Sequence, residues 1–190
     1  MRLNTNHTIR SAINNTMLSA NRISKQKTWY AVYTRPRHEK KIYAKLKQEN
    51  IEAFLPLQIT LRQWSDRKKK ISEPLFSCYL FVCVALNEYD NVLNIPGVVR
   101  YITFEGKAVV IPEKQIQFIR NLLEFDIETT IESTENLPVG TRVEITAGPL
   151  MGITGELVDY AGKKRVIIRI EEISKSILIN ISLDYLKLVA

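Results

Sequence analysis

A strand that is apolar on both faces constrains this chain more than any other feature. It runs from Cys78 to Leu86 and is approached through Ile71-Ser72-Glu73-Pro74-Leu75-Phe76-Ser77. In an extended chain Tyr79 and Phe81 share one face, while Leu80 and Val82 share the other. Such a strand must be covered twice: one cover is the protein's own core, and a partner is a candidate for the other. The two cysteines, Cys78 and Cys83, fall five apart within it. They are expected on opposite faces, unable to bridge, as small core residues.

The supply of apolar residues, 45% of 190, is enough for one medium domain or two small ones. No apolar run approaches the roughly 18 residues of a membrane span, and the N-terminus has no compact apolar core of a signal peptide. A cytoplasmic protein without membrane contact is expected. With only His7 and His38 present, a metal site or a His-based catalytic dyad has little to build on, and no metal, cofactor or catalytic residue is expected. The formal charge of +7 is uneven: residues 1–28 carry five basic side chains and no acid, whereas 128–190 hold nine acids against seven bases. A polyanion met at one end and a different partner at the other would suit this gradient.

Residues 1–28, rich in Asn, Ser, Thr and Arg, read as a mobile basic tail. The first domain, 29–125, opens on the strand Trp29-Tyr30-Ala31-Val32-Tyr33. A helix follows from Arg35-Pro36 to about Asn50, with Thr34 as its cap. Ile51 to Pro56 reads as a second strand, and Leu57–Trp64 with Lys69–Pro74 as two arms around a polar tip. Beyond the central strand come a short helix at 87–94, a turn at Pro96-Gly97, a strand from Val98 and an edge strand near Lys107–Ile111. A last helix, Pro112 to Phe125, places Ile116, Ile119, Leu122 and Leu123 at helical spacing. Residues 126–136, with four acids and no base, read as a flexible acidic linker. The remainder, 137–190, holds five of the seven glycines and alternates as Val166/Ile168/Ile170 and Ile177/Ile179/Ile181. Short strands with frequent turns point to a small five-stranded barrel. The fold class is therefore α+β, an antiparallel-type sheet with helices followed by a β-barrel.

On the first helix Arg37, Lys41 and Lys45 recur every four residues, with Ile42 and Leu46 on another side. One reading is a solvated charged face. The other is a phosphate-contacting stripe, favoured by Arg35 at the helix entry and by Arg67 and Lys68 at the hairpin tip. His38, set among charges, suits stacking on or hydrogen bonding to a base better than a core.

The pairing of W-Y-A-V-Y with S-E-P-L-F-x-x-Y-L-F-V resembles the N-terminal (NGN) domain of the NusG family of transcription elongation factors, and most closely its specialised RfaH-like and UpxY-like antiterminators. Val139 to Glu156, with Gly148-Pro149-Leu150-Met151-Gly152, looks like a KOW motif. The resemblance covers Trp29 to Val189. It implies that Tyr33, Phe76, Tyr79, Phe81, Ile116 and Ile119 line a cavity gripping the clamp helices of RNA polymerase. It also implies that Arg35, His38, Lys41 and Lys45 face the non-template DNA strand of the transcription bubble, to which the stripe reading adds Arg37, Arg67 and Lys68 as DNA contacts. In relatives the KOW barrel recruits ribosomal protein S10 or Rho, which points to Leu150, Met151 and Ile153 as exposed contacts. One departure stands out: the His-Thr-Thr element of RfaH-like factors is replaced by Asn87-Glu88-Tyr89-Asp90-Asn91. The implied function is suppression of pausing and termination at selected operons, such as those for capsular polysaccharide. A ribosome-associated KOW-type RNA-binding protein is the alternative. An enzyme acting on nucleic acid is disfavoured, because Asp66, Glu73, Glu88 and Asp90 are scattered over separate segments.

Overall fold

The computed structural model describes residues 26–63 and 68–189; residues 1–25 of the expected tail lie outside these. Thr28 already belongs to the first strand, β1 (Thr28–Thr34). Four more strands build the sheet around it: β2 (Glu52–Phe54), β5 (Tyr79–Val84), β6 (Val98–Tyr101) and β9 (Val110–Ile111). Their order is β2-β5-β1-β6, with β9 also paired to β1. Leu57–Gln63 and Lys68–Pro74, β3 and β4, form a separate two-stranded arm. Thr103–Phe104 and Lys107–Ala108, β7 and β8, make a small hairpin before β9.

The antiparallel register Trp29↔Cys83, Ala31↔Phe81, Tyr33↔Tyr79 fixes which residues share a face. Trp29, Ala31, Phe81 and Cys83 lie in one core cluster, and Val32, Leu80, Val82 and Val84 in another. Helix α1 (Glu39–Gln48) covers the second face with Ile42 and Leu46, joined by Val92 from the short helix α2 (Tyr89–Leu93). Helix α3 (Glu113–Glu124) covers the first with Ile116, Ile119 and Leu122. Both covers of the central strand come from the chain itself.

The first helix starts later than expected. Pro36 and Arg37 form a turn in which Arg37 takes φ +64°, and α1 begins at Glu39. Thr34 does not cap it: it is the last residue of β1, its N–H donating to the Cys78 carbonyl (2.9 Å), and the helix starts five residues further on. Instead the buried Glu39 carboxylate accepts the Cys78 N–H at 2.8 Å, tying the first turn to the entry of β5. Cys78, at φ +68°, precedes β5 rather than belonging to it, so the opposite-face argument does not apply to it; both thiols are free.

The second module is a six-stranded antiparallel sheet, one strand more than the expected five. Its order is β10 (Thr129–Ser133), β14 (Lys175–Ile179), β13 (Lys163–Ile170), β12 (Thr154–Tyr160), β11 (Thr141–Ile145) and β15 (Leu186–Leu188). The extra strand is β10, which lies where a flexible linker was expected. It pairs with β14 from Thr129↔Ile179 to Ser133↔Lys175. Upstream, the Ile127 N–H donates to the Leu122 carbonyl at 3.1 Å, leaving only 125–128 between α3 and the sheet.

The two modules share one hydrophobic cluster. Phe76, Phe81, Ile116 and Ile119 belong to it together with Val143, Ile145, Leu150 and Ile168 of the barrel.

Candidate functional site

The aromatic face begins at the open end of the β1–β5 pair. Tyr33 and Tyr79 meet there edge to face, 5.4 Å between ring centroids, and both are half-buried. The Arg100 guanidinium lies 5.9 Å from the Tyr33 ring, and burial pushes the Tyr79 phenol above its ordinary pKa. Deeper in, Phe81 meets Phe76 edge to face and stacks on Phe54, each at 6.2 Å. Arg120 of α3 lies 4.4 Å from the Phe54 ring and 5.7 Å from that of Trp29. The Trp29 indole N–H donates to Glu113 at 2.6 Å.

The six residues expected to line a cavity therefore divide. Tyr33 and Tyr79 reach the surface, whereas Phe76, Phe81, Ile116 and Ile119 are at most 1% exposed. The expectation of an open cavity is corrected on this point: α3 lies over the sheet with Ile116 and Ile119 themselves buried, and residues of the second module belong to the same cluster. Phe54 and Arg120 were missed. Arg120 was legible only as the charged neighbour of Ile119, since the ring it would stack on lies far off in sequence.

The basic residues lie on and before α1, which packs on the opposite face of the sheet. Arg35, Arg37, His38, Lys41 and Lys45 are all exposed, and Lys40 and Lys47 extend the stripe along α1. Ile42 and Leu46 anchor the opposite side of the helix. Lys45 shares its charge with Glu49 at 3.5 Å, an exposed pair that leaves it available to a phosphate. His38, exposed, donates from Nδ1 to the Pro36 carbonyl at 3.0 Å, which leaves Nε2 without its proton as an acceptor. Lys40, absent from the expected set, donates to the Ser72 carbonyl at 2.6 Å and binds the helix to β4. Arg67 lies outside the described residues, and Lys68 pairs with Gln63 at the end of the arm. A groove of about 930 Å³ runs between the start of α1, β4 and β10, with Arg37, Lys40, Ser72, Cys78 and Ile131 among its lining.

On the barrel, the loop between β11 and β12 turns at Gly148 (φ +79°) and Gly152 (φ +82°). Met151 is exposed and Ile153 half-buried, but Leu150 is only 2% exposed, contrary to expectation. The loop meets α3, where the Asn121 side chain donates to the Pro149 carbonyl at 3.2 Å, and Leu150 points into the shared core.

At the site of the replaced His-Thr-Thr element, Tyr89 stacks on Tyr101 at 3.8 Å with Tyr30 edge-on to both. The Tyr101 hydroxyl donates to the Tyr89 carbonyl at 3.0 Å, and burial raises its pKa. Among the described residues no three His, Cys, Asp or Glu side chains gather as a metal site, and no helix is long and apolar enough to cross a membrane.

Residues 27–120 match the family model described as "Transcription termination factor nusG". The chain is 26% identical over 188 residues to the transcription termination/antitermination protein NusG of Rickettsia felis, covering 93% of this chain and 96% of that one. The protein of the same description from Rickettsia prowazekii is 25% identical over 174 residues, covering 85% and 90%. Among solved structures, "Domain interaction in Thermotoga maritima NusG" aligns with a TM-score of 0.51 at 20% identity, over 86% of this chain and 98% of that one, a likeness of fold. With a central strand covered on both faces, a basic helix packed on it and a β-rich second module, the chain is similar to the NusG family, through the family model over residues 27–120 and at 26% identity over nearly its whole length.

Proposed function

We propose that this chain is a transcription elongation and antitermination factor. Its first module docks on the clamp helices of RNA polymerase, while α1 runs beside the non-template DNA strand. Binding there holds the polymerase cleft closed over nucleic acid and suppresses pausing and termination; no bond is made or broken. Action at selected operons, such as those for capsular polysaccharide, belongs to the same proposal, as does recruitment of ribosomal protein S10 or Rho through Met151 and Ile153.

The observation that carries the reading is that one small module presents both features. Its sheet carries an aromatic face, open at Tyr33 and Tyr79, and the helix on the opposite face, with the turn before it, carries an exposed stripe of Arg35, Arg37, Lys41 and Lys45. The inner part of that face, around Phe76 and Phe81, belongs to one cluster with α3 and with residues of the second module. In this reading it becomes available when the barrel moves aside, so the arrangement described above is a resting form. Each apolar side chain seated on the partner would contribute about 1.5–3 kcal/mol before association costs. Affinity purification of the full chain tests the proposal: RNA polymerase subunits are expected to co-purify, whereas ribosomal subunits in their place would favour a ribosome-associated RNA-binding protein.

A further inference from the structure

The segment expected to be a free linker is fastened to the second module as a strap. After β10 the chain passes through a turn at Thr134–Asn136 and crosses the sheet to reach β11. Leu137, 8% exposed, packs there with Val158, Ile167 and Leu178 in a cluster separate from the shared core. Arg169 fastens the crossing. Its guanidinium donates to the Thr134 carbonyl (3.2 Å) and the Pro138 carbonyl (2.9 Å), and to both carboxylate oxygens of Glu156 (2.8 and 2.9 Å). Glu156 in turn accepts the Gly140 N–H at 3.0 Å, and the Thr134 and Ser176 hydroxyls bond at 2.9 Å.

A segment that only joins two modules needs none of these contacts. Nor does the strap hold the other five strands together, since β14, β13, β12, β11 and β15 pair among themselves. We propose that the strap sets the reach of the tether between the modules. With it docked, residues 125–128 alone connect α3 to the sheet, and four residues span at most about 14 Å. That short leash keeps the loop at Gly148–Gly152 against α3. Released, residues 125–140 become the tether, with an average span of about 22 Å and a fully extended reach of about 55 Å. The barrel then leaves the aromatic face. That last consequence for polymerase access rests on the function proposed above; the strap itself does not.

The test uses the full chain without polymerase. Leu137→Asp combined with Arg169→Ala is expected to cut amide-exchange protection at 129–133 at least about tenfold. Protection in β11–β14 should stay at the parental level, and the radius of gyration from X-ray scattering should rise by about 3 Å. Adding Thr134→Cys and Ser176→Cys to this variant and oxidising the pair is expected to return the radius to the parental value. A loosened strap with unchanged radius overturns the proposal, as does a radius insensitive to the disulfide. Loss of protection throughout β11–β14 overturns it too, because the strap would then be a structural part of the barrel. In a separate binding measurement with purified polymerase, a variant that opens as expected yet binds no better supports the strap and counts against the docking surface.

Discussion

Gly140 sits where the strap backbone passes closest to β12. A Cβ added there would fall 2.5 Å from the Leu157 carbonyl oxygen and 2.6 Å from Val158 Cγ1. Since neither the strand nor the buried valine can yield freely, Gly140→Ala should cost about 1–3 kcal/mol, read as a lower urea midpoint. Glu156 makes a second prediction at this scale. Hydrogen bonds from Arg169, aided by the Gly140 N–H, hold its carboxyl below the usual range despite partial burial. A group with a depressed folded pKa contributes stability above its unfolded value, about 4.3, and loses it as pH falls through the folded one. Glu156→Gln should therefore be less stable than the parent at pH 7, with the gap closing below about pH 4 in unfolding curves. The division of Tyr79 and Phe81 from Leu80 and Val82 was legible in the sequence because alternation along a strand is local. The burial of Leu150 was not: Gly-Pro-Leu-Met-Gly reads the same whether its loop faces water or a helix nearly thirty residues upstream.

At the scale of elements, α3 and the central strand appeared at close to their expected ends because apolar spacing alone defines them. Helix α1 was misplaced at its start, where a buried carboxylate bonded to a distant backbone N–H outweighed the helix-opening preference of proline. Strand β10 was invisible for a related reason. With Ile131 its only apolar residue, it pairs on the strength of what β14 supplies. The basic stripe on α1 is exposed, as both readings of it require. If Lys41 and Lys45 each contact a phosphate of single-stranded DNA, their joint replacement by Ala should flatten the plot of log affinity against log salt by about 1.4. An unchanged slope would leave α1 as an ordinary solvated face.

For the whole molecule, the decisive arrangement is one sheet whose two faces meet different neighbours. One face is closed by α1 and α2. The other is closed by α3 and by a second module held on a tether of a few residues. In the proposed function this second cover would separate without unfolding either module, so that the aromatic face stays out of water until a partner replaces the barrel. Tyr33 and Tyr79 are the rim of that face, half-buried in the resting form, so truncating them removes contact area without hollowing the core. The most direct measurement is the affinity of the full chain for purified RNA polymerase with and without Tyr33→Ala/Tyr79→Ala. The account predicts a folded variant that binds at least about tenfold more weakly. A folded variant that binds as tightly as the parent would contradict it.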